Sequence, residues 1–334
     1  MALSNERSFT FAGQGHPPAS ATPMPPAATP APAYHPRRPA RSAFVDVRGL
    51  RYHLLEWGDR SLATPERPTV VMVHGWMDVG ASFQFVVDAL GEDRHIIAPD
   101  WRGFGLTPGP GTDAYWFPDY LGDLDGLLDA CGLQQPIDLV GHSMGGNVVM
   151  VYAGVRPQRI RTLVNLEGFG MPATQPAEAP ARLAGWLDEL KKPGRLKDYD
   201  SLDAVAQRMQ ANNPRLTNER ARWLAAHWAS QGESGRWTLR GDPAHKRSNP
   251  MLYRKEEVMA CWAAITAPTL VIEAEIDETR AWWGDRYPRS EFAQRLQVVP
   301  RARRETVAAA GHMLHHDQPE RVAALLQAFW GQGA

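Results

Sequence analysis

From Phe44 onward, apolar residues recur with two alternating periods, one suited to strands and one to helices. Residues 44–47 and 52–55 alternate apolar and polar around Arg48-Gly49, which predicts an opening pair of antiparallel strands. Thr69-Val70-Val71-Met72-Val73 is a short unbroken apolar run, as expected of a strand covered on both faces. Residues 95–98, 137–140, 162–166 and 269–272 read the same way. Between 98 and 137, Leu121, Leu124, Leu128 and Cys131 share one helical face, and Gly132 is a natural stop. A helix from Ser143 carries Val148, Val151, Tyr152 and Val155 and ends before Pro157. The last strand is expected over 305–310. The final helix is expected to open at Asp317, with Glu320 completing a capping box and Val322, Leu325, Leu326 and Phe329 as its apolar stripe. Strands alternating with helices predict an α/β fold, a mostly parallel sheet with helices on both faces.

Two stretches depart from this rhythm. Residues 171–265 show helical patterns without a convincing strand: Leu183, Trp186, Leu187 and Leu190 repeat at helical spacing, as do Leu224, His227 and Trp228. Trp186, Trp223, Trp228 and Trp237 fall within it and Trp262 closes it. An inserted helical lid above the strand ends is expected, its tryptophans mostly packing and together walling an apolar cavity. Residues 1–43 are rich in Pro, Ala, Ser and Thr, with too few large apolar side chains to offset the entropy of ordering. They are expected to form a disordered tail. The core is then expected in two parts, 44–170 and 266–334, around the 171–265 lid.

Composition changes this picture little. The 334 residues are 43% hydrophobic, enough for a full core, and the net charge of -1 gives no reason to expect nucleic acid as a partner. Two cysteines, Cys131 and Cys261, suit a reducing compartment. No apolar run is long enough to span a bilayer, and none follows Arg37-Arg38 as a secretory segment would. A cytoplasmic protein acting on a small-molecule substrate is expected, with its oligomeric state open.

The strongest chemical signal is Gly141-His142-Ser143-Met144-Gly145-Gly146, a G-x-S-x-G string between a predicted strand and a predicted helix. A turn that tight strains the serine backbone and needs small neighbours, while the helix N-terminus favours a developing negative charge.

With these motifs the chain from about Phe44 to Trp330 resembles an α/β-hydrolase with a helical cap. His74-Gly75-Trp76 matches the family's H-G-x turn, which implies oxyanion-hole amides from Trp76 and from Met144, just after the nucleophile. Asp100-Trp101-Arg102-Gly103-Phe104-Gly105 is similar to the D-x-R-G-x-G segment and is read as a structural turn. Gly311-His312 stands where the family places its catalytic histidine, after the last strand, from which it can activate Ser143. His74 and His142 are expected to support turns. His315 and His316 also invite a metal site with His312, but no carboxylate cluster at ligand spacing accompanies them, so neither metal nor cofactor is expected.

The acid that orients the histidine has two candidates. Asp277 follows the penultimate strand, as the family pattern implies, although Ala274 stands where glycine is usual. Glu167 ends the strand after the nucleophile helix, as in haloalkane dehalogenases, with Gly168 and Gly170 beside it. Asp277 is the favoured of the two. A serine nucleophile suits acyl transfer, and the expected activity is hydrolysis of a carboxylic ester of a small or medium apolar substrate. A carbon–carbon bond hydrolase and a cofactor-independent dioxygenase share the resemblance, and a hydrolase-like ligand receptor is the alternative outside catalysis.

Overall fold

The computed structural model describes residues 33–331. Eleven strands and eleven α-helices follow in chain order within them. The first half runs β1 (Arg41–Val47), β2 (Leu50–Trp57), β3 (Val70–Val73), α1 (Gln84–Ala89), β4 (Ile96–Pro99), α2 (Phe117–Ala130), β5 (Ile137–His142), α3 (Met144–Val155) and β6 (Ile160–Leu166). An insertion follows: α4 (Ala179–Leu190), β7 (Asp198–Tyr199), α5 (Leu202–Asn212), α6 (Asn218–Trp228), β8 (Ala229–Gln231), β9 (Trp237–Leu239) and α7 (Lys255–Ala263). The chain then returns through β10 (Thr269–Ala274), α8 (Arg280–Trp283), α9 (Arg289–Leu296), β11 (Ala302–Val307), α10 (Leu314–Asp317) and α11 (Pro319–Gly331).

The main sheet has the order β1-β2-β4-β3-β5-β6-β10-β11. β1, β2 and β4 pair antiparallel, and every pair from β4 to β11 is parallel. β3 to β6 and β10 are buried almost throughout and mainly apolar because both faces are covered, with Asp138, Asn165 and Glu273 among the buried polar exceptions. On one face, Leu124 and Leu127 of α2, Val148 and Tyr152 of α3, Trp262 of α7 and Phe292 of α9 pack together. On the other, Val86 and Val87 of α1 meet Val322, Leu326 and Phe329 of α11. No helix among the described residues is long and apolar enough to cross a membrane.

Three expectations are corrected. Most of the 1–43 segment lies outside the described residues, but its end does not behave as a tail. β1 starts at Arg41, and Asp88 of α1 accepts hydrogen bonds from the Tyr34 hydroxyl and from the backbone N–H groups of Arg37 and Arg38. The insertion is not wholly helical: β7, β9 and β8 form a small antiparallel sheet, with strands too short to leave a periodic signal. Asp317 closes α10 instead of capping the final helix, because its carboxylate is taken by Gly311, Asn213 and Arg215.

The insertion rests on loops that follow the carboxyl ends of β3, β4 and β11. Trp228 donates to Asp78, Gly105 N donates to the Arg240 carbonyl, and Arg220 donates to the His316 carbonyl. His245 is stacked between Phe104 and Tyr115, with ring centroids 3.7 and 3.5 Å away. α4 contributes no buried residue, leaving Leu183 and Leu187 about half exposed.

Candidate active site

β5 ends at His142 and α3 begins at Met144, so Ser143 alone makes the turn between them. Its backbone is left-handed, at φ 53° and ψ −114°, a conformation that costs a non-glycine residue about 1–3 kcal/mol. Gly145 permits the turn, since a Cβ there would collide with the carbonyl oxygens of Val73 and His74. A Cβ on Gly75 would stand 3.1 Å from Ser143 Cβ, so the His74-Gly75-Trp76 turn after β3 lies directly against the serine turn. Met77 (φ 55°) and Glu167 (φ 58°) are also left-handed, which concentrates backbone strain around this one place.

His312 arrives on the loop between β11 and α10. Its Nε2 is 2.8 Å from Ser143 Oγ, and its Nδ1 is 3.2 Å from Glu167 Oε2. Glu167 follows β6 and is buried; its Oε1 accepts the Ala274 N–H at 2.6 Å from the end of β10. Burial raises the pKa of this carboxyl, and the opposing pull of His312, Ala274 N–H and Arg289 does not cancel it.

The carboxylate that meets the imidazole is therefore Glu167, not the favoured Asp277. Asp277 Oδ1 is occupied by Thr279, accepting its backbone N–H at 3.0 Å and its hydroxyl at 2.6 Å. Burial raises the Asp277 pKa, but the Thr279 bonds and the Arg289 charge outweigh it and hold the carboxyl below its usual range. Arg289 stands between the two acids, 3.3 Å from Asp277 and 3.6 Å from Glu167. Asp277 is thus linked to the imidazole by way of Arg289 and Glu167.

The two motif histidines support turns. His74 Nε2 accepts the Trp101 N–H at 2.9 Å while its Nδ1 donates to the Gly75 carbonyl, and burial lowers its pKa to about 4. His142 Nε2 donates to the His312 carbonyl at 2.8 Å, and burial likewise keeps its ring neutral. In the 100–105 segment, the Asp100 carboxylate accepts from Gly80 N, Leu106 N and His53, and Arg102 pairs with Asp123. This is the structural turn the motif implies.

Several residues beside the triad carried no motif. Trp282 stands edge-on to His312, centroids 4.6 Å apart, and is 52% exposed. Arg215, between α5 and α6, bonds Asp317 Oδ2 and Glu278 Oε1 at 2.6 Å each. Those carboxylates in turn accept Gly311 N at 2.9 Å and His312 N at 3.1 Å. The Arg215 guanidinium thus ties the insertion to the histidine loop through both carboxylates. No local pattern announces it, because its partners are 102 and 63 residues away from Arg215. Trp76 is also 52% exposed, and its indole donates to the His245 carbonyl at 3.2 Å.

Comparison with known proteins agrees with the fold. Residues 68–319 match the family described as alpha/beta hydrolase fold. The chain is 29% identical over 291 residues to a 3-hydroxybutyrate-oligomer hydrolase of Cupriavidus necator, covering 84% of this chain and 93% of that one. It is 32% identical over 153 residues to a cis-3-alkyl-4-alkyloxetan-2-one decarboxylase of Shewanella oneidensis, a match spanning 45% of each. The solved thioesterase domain from the curacin biosynthetic pathway superimposes with a TM-score of 0.73 at 23% identity, over 86% of this chain and 99% of that domain. At that identity the superposition speaks for the fold alone.

Proposed function

Since this chain belongs to the α/β-hydrolase fold family, we propose that it is a serine hydrolase cleaving a carboxylic ester of a small or medium apolar substrate. The observation that carries this reading is the unbroken hydrogen-bonded series Ser143 Oγ, His312, Glu167 at the carboxyl ends of the strands. Ser143 Oγ attacks the ester carbonyl while His312 Nε2 takes its proton. The tetrahedral oxyanion lies between the backbone amides of Trp76 and Met144, the second at the N-terminus of α3. His312 returns the proton to the departing alkoxide, leaving an acyl-serine and a free alcohol. Water, deprotonated by the same imidazole, then attacks the acyl carbon; the carboxylic acid leaves and Ser143 recovers its proton. Glu167 holds the Nδ1–H tautomer throughout and stabilises the imidazolium.

The half-exposed indoles of Trp76 and Trp282 beside the triad favour an apolar group next to the ester. A relative that spans most of both chains is named for hydrolysis of 3-hydroxybutyrate oligomers, which agrees with an ester substrate. In this reading residues 171–265 act as a lid, tied to the core through Trp76–His245 and Arg215. The test is a fluorophosphonate probe followed by peptide mass spectrometry. Labelling at Ser143, absent in Ser143→Ala and strongly reduced in His312→Ala, with multiple turnovers on activated esters, is expected. No labelling under conditions that label a known esterase would refute acyl transfer.

A further inference from the structure

A second polar cluster lies behind the triad and takes no part in it. His315 and His316, both in α10, are fully buried, as is Asp78 in the loop after β3. The Asp78 carboxylate is fixed through Oδ1, which accepts from Val79 N at 2.8 Å, Trp228 Nε1 at 3.1 Å and the Ser82 hydroxyl. Its Oδ2 has no hydrogen-bond partner, and neither do Nδ1 and Nε2 of His315 or Nε2 of His316. His315 Nε2 is 3.9 Å from Asp78 Oδ2, and one ligand atom from each of the three residues lies within 4.8 Å of the others. A single unpaired buried polar atom costs about 1–3 kcal/mol. One polar atom from each of the three residues converges on one place, which calls for an occupant.

We propose that Asp78, His315 and His316 form a binding site for a divalent transition-metal ion of the zinc type. Two imidazole nitrogens and one carboxylate oxygen are a ligand set that suits such ions, and three protein ligands leave one position for water. Metal–ligand bonds of about 2.0–2.2 Å place tetrahedral ligands roughly 3.4 Å apart. From separations of up to 4.8 Å, the three side chains must therefore close by at most about 1.4 Å on binding. The trigonal hydrogen bonding of Asp78 Oδ1 is the outer support that orients a ligating carboxylate. The site is separate from the catalytic group: His312 is not among its donors. The intervening residue is His142, whose ring centroid is 4.3 Å from that of His315.

The experiment uses the full chain stripped with a chelator. Zn²⁺ is titrated by calorimetry, Co²⁺ by its visible absorption, and anomalous scattering is collected from crystals soaked with Zn²⁺. Expected are one equivalent per chain and an anomalous peak between Asp78, His315 and His316. Asp78→Asn and His316→Gln should each weaken binding by about 100-fold or more, since even outer-shell changes cost 10–100-fold. His312→Ala and Ser143→Ala should bind as the parent does, which separates this site from adventitious capture by the triad. The wild-type anomalous map decides the matter if a ligand variant fails to fold. Absence of binding, a peak elsewhere, or binding lost in His312→Ala but kept in both ligand variants would overturn the proposal, leaving an ordered-water cluster in its place.

Discussion

Replacing Glu167 by glutamine changes one atom at the acid position and reverses the hydrogen-bond logic of the site. The amide oxygen can keep the Ala274 N–H that Glu167 Oε1 accepts at 2.6 Å. The amide NH₂ then faces His312 Nδ1 across the 3.2 Å now spanned by the carboxylate, so Nδ1 must accept instead of donate. The ring proton moves to Nε2, which faces Ser143 Oγ at 2.8 Å, and the serine proton has no acceptor. In the triad template the same tautomer fault costs about 10⁴ in turnover, or about 5.5 kcal/mol of barrier. Asp277→Asn weakens only a 3.3 Å contact with Arg289 at a carboxylate that is 38% exposed. Partly exposed pairs of this kind contribute about 0.2–1 kcal/mol, so less than about fivefold in rate is expected. The assay is kcat/KM on an activated ester such as a p-nitrophenyl acyl ester, with folding of each variant checked by circular dichroism. A loss of orders of magnitude in Asp277→Asn, or a loss under tenfold in Glu167→Gln, would refute the assignment of the acid.

Three further outcomes follow from the same geometry. Because burial raises the Glu167 pKa above its unfolded value, that group's contribution to stability is full at low pH and declines as pH rises through that window. The melting temperature of Glu167→Gln relative to the parent should therefore climb as pH rises above the ordinary glutamate range of about 4, and a flat or falling difference would contradict it. Gly145→Ala drives a Cβ into the Val73 and His74 carbonyls, and should cost about 1–3 kcal/mol in urea denaturation along with most activity; an unchanged midpoint would show that the turn can relax. Arg215→Ala removes two charge-assisted hydrogen bonds from the histidine loop. A loss of about 1.5–3 kcal/mol per bond is the upper expectation, with kcat falling more than KM rises; a purely structural role would leave kcat untouched in the folded fraction.

The parallel core was legible because each buried strand contains a short, mainly apolar run and several are followed by a helix of the right period, so the local pattern and the tertiary demand agree. Ser143 and His312 were legible for a similar reason: a strained turn needs glycines beside it, and a base must sit on a loop past the last strand. The acid was not, since Glu167 and Asp277 both lie just beyond the ends of neighbouring strands, β6 and β10. What separates them is the left-handed backbone of Glu167 and the local capture of Asp277 by Thr279, neither of which leaves a residue pattern. Asp317 was misread for the opposite reason. Its spacing to Glu320 satisfies a capping box, but a long-range partner, Arg215, claims the side chain. Asp78 shows the same limit, as it meets His315 and His316 only through the closed sheet.

Ser143 and Glu167 directly follow neighbouring central strands, β5 and β6, whereas His312 comes from beyond β11 at the sheet's far edge, 169 residues from the serine. During synthesis, then, a chain emerging from the ribosome carries a finished serine turn long before it owns a proton acceptor. It stays chemically silent while the insertion and the last edge strand are still being made. During renaturation the return of any hydrolase signal should lag the return of helical ellipticity, because closing so long a loop is a slow event. Enzymatic activity in this molecule is in effect a clock for the docking of its final strand.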